Sequence, residues 1–302
     1  MPPLRNVNFN VGPPNLVAPE RHRYVRHSWP VRAMHWINVI ALTILLMSGL
    51  QIFNSYPKLY WGKSSYTGRP PLLQVHAERT VDSSAVGVVE IFGRKLRTTG
   101  ALGLSRDSRG QLAERAFPSW LTIPGPIWLA MARRWHFLFA WVFAINGALY
   151  IASSIWSRHL SNDLAPTRRD WRSIGLSIVD HLLLRHPSGQ EAKRYNVLQK
   201  LAYLAVIFGL LPFMILTGIA MSPQMDTLVP GWVDFFGGRQ SARTLHFIAA
   251  NLIVLFVLIH VLESIISGFW NNLRSMITGR YEVEEPTTDA FTPDSASERT
   301  AR

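Results

Sequence analysis

The sequence predicts an all-α integral membrane protein: a four-transmembrane-helix bundle with a long external loop between helices 1 and 2 and a cytoplasmic connection between helices 2 and 3. Three observations lead there. The 302 residues are 48% hydrophobic and only 17% charged, with a positive mean hydropathy, a balance foreign to soluble domains. Four windows, 33–57, 135–157, 201–225 and 244–262, contain no Asp, Glu, Lys or Arg, and each approaches or exceeds the ~20 residues a helix needs to cross hydrocarbon. Basic residues gather between those windows, where a protein facing anionic lipid carries them.

The flanks justify each element in turn. Residues 1–32 are polar, Pro-rich and Arg-bearing and read as a cytoplasmic tail without a cleavable signal, because the first apolar run is long enough to stay as an anchor. The membrane domain covers 33–280, with helices at about 33–57, 135–157, 201–225 and 244–269. Loop 58–134 is expected outside. Its stretch 85–93 is too short to span, and its end, AFPSWLTIPGPIW, reads as a packed docking element with Trp120 and Trp128 offered to the interface or a partner. Residues 171–184 suggest an amphipathic helix on the membrane surface, and Pro212 should kink helix 3. Residues 281–302 are acidic and polar and read as a disordered cytoplasmic tail. No internal repeat is visible. Among the shorter segments, those before helix 1 and between helices 2 and 3 hold eleven arginines against two in the 3–4 connection, so positive-inside counting puts them, and both termini, in the cytoplasm; loop 58–134 is also basic, but long loops translocate largely regardless of charge.

Composition also excludes chemistry. Cysteine is absent, which removes disulfides, thiolate-held Fe–S clusters and covalently attached c-type haem. The formal charge of +12 lies at membrane edges rather than in a nucleic-acid-binding domain, so nucleic acid is not an expected partner.

Of ten histidines, four sit in the charge-free windows: His35, His136, His246 and His260. His35 opens helix 1 on the inner side and His136 opens helix 2 on the outer side. His246 and His260 lie fourteen residues apart on helix 4, about 21 Å along the axis and about 40° apart around it. They resolve into an outer pair, His136 with His246, and an inner pair, His35 with His260. Two planar cofactors held by imidazoles from facing helices suit this layout, and bis-histidine haem b needs one axial ligand on each side and no cysteine. Interfacial anchoring explains His35 or His136 singly, whereas His260 well inside the membrane reads as functional. Gly49, fourteen residues after His35, and Gly147, eleven after His136, would let a porphyrin approach the backbone, although small residues also serve ordinary helix packing. Arg32, Arg133, Arg134 and Arg243 flank the histidines and could pair with haem propionates or simply snorkel.

RAMHW at helix 1, WHF at helix 2 and the H-x13-H pair on helix 4 resemble the dihaem cytochrome b subunits of bacterial respiratory oxidoreductases. That group includes prokaryotic cytochrome b561 proteins and the membrane subunits of NiFe-hydrogenase, formate dehydrogenase and thiosulfate reductase. RYNVLQK, Arg194 to Lys200, is similar to the YNxxQK signature of the formate dehydrogenase gamma subunit. The resemblance implies two haem b and a quinone, menaquinone or ubiquinone, in a pocket lined by Asn196 and Gln199 near the inner haem; Asn196 could equally cap helix 3. It further implies a multi-pass protein of the bacterial inner membrane that anchors a periplasmic redox partner (a molybdoenzyme, hydrogenase or Fe–S subunit) and passes electrons between it and the quinone pool. No catalytic group of its own is expected. Two rival expectations remain: a self-sufficient cytochrome reacting with a small substrate such as superoxide, which the long loop disfavours, and a cofactor-free proton-linked transporter, which the absence of repeated halves disfavours.

Overall fold

The computed structural model describes residues 20–65, 68–157, 165–182 and 197–285. Strand β1 (Glu20–Val25) leads into α1 (Trp29–Ser55). Then come β2 (Lys58–Leu59), β3 (Leu73–Arg79), β4 (Ala85–Ile91) and β5 (Arg94–Arg97) in one sheet, and β6 (Gly103–Arg106) with β7 (Leu112–Arg115) in a separate hairpin. Next are α2 (Leu129–Trp156) and a surface helix α3 (Arg168–Leu182). The third span, Val197–Ala220, consists of α4 (Val197–Leu204), a π-helical turn (Ala205–Leu210) and α5 (Leu211–Ala220). Short helices α6 (Pro223–Leu228) and α7 (Trp232–Phe235) lead to α8 (Arg239–Ile266), then α9 (Phe269–Thr278) and strand β8 (Arg280–Glu285).

The four long helices, α1, α2, the third span and α8, are the membrane bundle. Each begins four to six residues before its charge-free window. The windows mark the hydrocarbon, whereas the helices continue into the headgroup zone, where Arg32, Arg133, Arg134, Lys200 and Arg239 can extend their charges to water. The kink expected at Pro212 takes the form of the π turn just before it. Proline supplies no N–H and its ring crowds the carbonyl four residues back, so the preceding turn widens.

The 58–134 connection contains a β module, which its charge and hydropathy did not suggest. Its main sheet is antiparallel in the order β2-β3-β4-β5, with Val75 opposite Val89 and Ala77 opposite Gly87. Gly87 and Gly103 are required where β6 crosses this sheet: a Cβ on Gly87 would lie 2.2 Å from the Leu102 carbonyl oxygen, and one on Gly103, 2.4 Å from that of His76. The module is fused to the bundle. Phe53 of α1 and Phe247 of α8 join Leu59, Val75, Val89 and Ala116 in one apolar cluster, with the Phe53 and Phe247 rings stacked at 4.9 Å. Buried Arg115 donates to the carbonyls of Phe117 and Gly125 and to Thr122 Oγ1, organising the Pro-rich segment 116–128. Asn54 and Gln51 fasten that segment to α1 through Phe117 and the Pro126 carbonyl. Trp120 and Trp128 remain exposed.

At the other end, β1 pairs antiparallel with β8 along its whole length, so ordered chain extends to Glu285, into the segment expected to be a loose tail. Residues 286–302 lie outside the described residues. Glu282 receives Arg23 at 2.6 Å and Arg274 at 2.5 Å, while Arg32 and Trp36 of α1 donate to the carbonyls of Ile277 and Met276 on α9. The clamp therefore ties α1 to the end of the fourth membrane helix. The hydrogen bond from Arg274, supported by Arg23, holds the Glu282 carboxyl below the usual carboxylate range. A depressed folded value means that this contribution is complete above the ordinary glutamate pKa of about 4 and disappears as pH falls through the lowered value. Glu282→Gln should speed amide exchange at Tyr24 and Tyr281 several-fold at neutral pH, whereas the wild-type strand pair should loosen only below about pH 4; hydrogen-exchange mass spectrometry reads both.

Candidate functional site

His136 is the eighth residue of α2 and His246 the eighth of α8, so two helices that start at the module end carry imidazoles to the same depth. The rings meet with centroids 6.3 Å apart and planes at 63°. Two imidazoles bonded from opposite sides to one metal ion, at ~2 Å per bond, have centroids about 6 Å apart. The pair thus has the spacing to hold one metal centre between them. Among the described residues no group of three or more His, Asp or Glu could hold a metal ion, and a planar group such as a porphyrin would fit between two facing imidazoles.

Both rings are anchored through Nδ1. Ser48 Oγ on α1 lies 3.1 Å from Nδ1 of His136, and Thr217 Oγ1 on α5 lies 3.1 Å from Nδ1 of His246. The carbonyl of Met214, three residues before Thr217, lies 3.1 Å from the same Nδ1 of His246. Gly49 and Gly218 complete the match: a Cβ on either would approach the adjacent histidine Cε1 to 3.3 Å. Gly49, expected beside a porphyrin, lies against the His136 ring. Gly147 faces open space, and a Cβ placed there would meet nothing within 4 Å.

These contacts reveal a repeat that sequence reading missed. Ser48-Gly49 faces His136 within the first helical hairpin, and Thr217-Gly218 faces His246 within the second. Arg133-x-x-His136-Phe137 and Arg243-x-x-His246-Phe247 are the matching signature on the facing helices. The signal is only two short motifs separated by large insertions, too little for self-similarity to stand out along the chain.

His35 is the seventh residue of α1 and His260 the seventh from the end of α8, again at one depth, near the clamp end. The two lie within electrostatic range of each other. Phe256 stacks on His260 at 6.1 Å, and Trp36 meets His35 edge-on at 5.4 Å. Among the described residues, Nδ1 of His35 is buried without a hydrogen-bond partner. One turn further along α1, Asn38 accepts from Asn146 of α2 at 2.8 Å, and Asn146 also reaches the Met34 carbonyl at 2.9 Å. This satisfied amide pair was also missed, because a single asparagine in an apolar run has no periodic signature.

Gln199 lies in the first turn of α4, half-buried. Asn196 lies outside the described residues. Of the arginines expected near propionates, Arg243 donates to the carbonyls of Tyr56 and Lys58 and Arg32 to that of Ile277. Arg243 thus joins the start of α8 to the loop after α1, and Arg32 joins α1 to α9, each supplying a donor to backbone carbonyls. Gly218→Val should push the His246 ring out of line, and a group held between His136 and His246 should fall in content by more than half, which pyridine haemochromogen quantitation would read for a haem.

A family model described as prokaryotic cytochrome b561 matches residues 26–279. A protein-methionine-sulfoxide reductase subunit, YedZ1, described as putative, from Azospira oryzae is 26% identical over 238 residues, covering 79% of this chain and 89% of that one. A probable Ni/Fe-hydrogenase B-type cytochrome subunit from Cupriavidus necator is 30% identical over 158 residues, covering 48% and 64% respectively. With its four membrane helices and a match running from just before the first of them to the end of α9, the chain belongs to the prokaryotic cytochrome b561 family of membrane proteins that bind haem b and transfer electrons.

Proposed function

We propose that this protein is a dihaem cytochrome b that carries electrons between an oxidoreductase docked on its β module and the membrane quinone pool. The observation that carries the reading is the outer histidine pair, spaced at 6.3 Å with both Nδ1 atoms anchored. His136 and His246 would hold one haem, and His35 with His260 the other. Each haem b, when bound, supplies a reversible one-electron carrier. The protein supplies the imidazoles, a dry apolar surround and the separation of the two sites along α8, about 21 Å between His246 and His260.

The β module supports a protein partner at the outer site. Phe247, beside His246, packs in the module's own core, so a protein bound there would sit directly over that site. The exposed edge strand β5 carries Arg94, Lys95 and Arg97, which suits an acidic partner. The names of the relatives, a methionine-sulfoxide reductase subunit and a hydrogenase cytochrome subunit, support an oxidoreductase of that general kind. On this reading the module faces the periplasm, the clamp of β1 and β8 faces the cytoplasm, and the membrane is the bacterial inner membrane. Asn196 and Gln199 would bind quinone at the cytoplasmic side, donating amide N–H groups to its carbonyl.

Reduced-minus-oxidised spectra with haemochromogen quantitation should give two b haems per chain in wild type and about one in His260→Ala; a fully matured wild type without haem would overturn the reading. Asn196→Ala should raise the KM for a soluble quinol analogue roughly five- to tenfold, the worth of one hydrogen bond, in stopped-flow haem reduction, while leaving haem content at two.

A further inference from the structure

We infer that Ser48 and Thr217 are positioning residues for the outer haem, fixing the tautomer of its two histidines and holding their ring planes crossed. This rests on the reading that His136 and His246 ligate haem, and it assigns a role to side chains that do not touch the iron.

The hydroxyl hydrogens decide the tautomer. A serine or threonine has one O–H to donate. Ser48 Oγ donates to the Ile44 carbonyl at 2.6 Å, and Thr217 Oγ1 to the Phe213 carbonyl at 2.8 Å. With that hydrogen used, each hydroxyl offers only a lone pair to the imidazole 3.1 Å away, so Nδ1 must carry the proton. The Met214 carbonyl, 3.1 Å from Nδ1 of His246, makes the same demand because it cannot donate. Nε2 is left in both rings with its lone pair free for a metal.

The same contacts fix orientation. Both hydroxyl-bearing side chains are fully buried, and each is followed by a glycine against which the histidine Cε1 rests. A hydroxyl on one atom and a helix backbone against the next leave each ring little freedom to turn. Because the two clamps come from different helical hairpins, the rings are held independently, at 63° to one another. A buried serine or threonine in a membrane helix commonly satisfies its O–H on the carbonyl four residues back. That accounts for the two O–H groups, but not for two lone pairs aimed at facing histidines with a glycine following each.

Two physical consequences can be read. A hydrogen bond accepted from Nδ1–H raises the basicity of the ligating nitrogen and favours the ferric state, so Ser48→Ala should raise the midpoint potential, and Thr217→Val, which leaves the Met214 carbonyl on Nδ1 of His246, should raise it by less. Crossed imidazole planes give ferric low-spin haem an EPR signal with one very large g value, whereas parallel planes give a rhombic signal. Among the described residues His35 has no such partner on Nδ1, so the inner haem serves as an internal control.

The test is potentiometric titration and EPR of the purified dihaem protein for wild type, Ser48→Ala, Thr217→Val, Ser48→Thr and Thr217→Ser. The expected result is an upward shift in the potential of one haem in Ser48→Ala and a smaller one in Thr217→Val, with its large-g signal moved, the other haem unchanged, and both swapped-hydroxyl variants close to wild type. If Ser48→Ala does not retain the outer haem, Ser48→Cys, a poorer acceptor of similar size, should show the same shift at smaller amplitude. Variants that keep two haems with unaltered potentials and unaltered EPR would overturn the inference. A wild-type protein carrying no haem would instead overturn the proposed function, so the two failures are distinguishable.

Discussion

An imidazole placed among lipid-facing helices must have its polar edges satisfied, because an unpaired buried donor or acceptor costs on the order of 1–3 kcal/mol. Much of the end of this bundle nearest the β module is arranged around that requirement. Ser48 and Thr217 each bond a ring nitrogen, and each is in turn bonded to its own helix. Gly49 and Gly218 bring those helices close enough for the bond to form. The spacing of α1 against α2, and of α5 against α8, is thus set where polar chemistry interrupts an otherwise greasy contact.

The module on top continues the same logic. α8 begins at Arg239, where the Gln240 and Ser241 amides donate to the Gly62 carbonyl, and Thr244 and Arg243 donate to carbonyls in 56–60. Helix starts leave free N–H groups, and here the neighbouring loop receives them. His246, a few residues further on, therefore has its position determined jointly by the bundle below and the strands above. A protein resting on those strands would be mechanically connected to the candidate site through Phe247 and Phe53.

Legibility in the sequence followed the strength of the physical signal. Long uncharged windows can do little but cross a membrane, so the four spans were readable from them, with ends misjudged by a turn because arginines can remain helical while reaching water. Histidines in such windows are conspicuous for the same reason. The strands of the module were not readable: Leu73–Arg79 and Ala85–Ile91 are short, mixed in polarity and embedded in a basic loop. The hydroxyl clamps were hidden because serine, threonine and glycine are ordinary in membrane helices, and only their approach to a ring gives them meaning. Pro212 announced a distortion but not its kind.

The pairing of β1 with β8 also has a temporal side. Glu282 bonds Arg23 across 259 positions of chain, so the first strand is made long before its partner exists. During synthesis α1 can enter the membrane at once, yet its register against the last helix cannot be locked until residues 280–285 have left the ribosome. His35 and His260 sit on the two helices joined by that late closure. The end nearest the β module can close once the start of α8 has been made, and the opposite end only after β8 has followed.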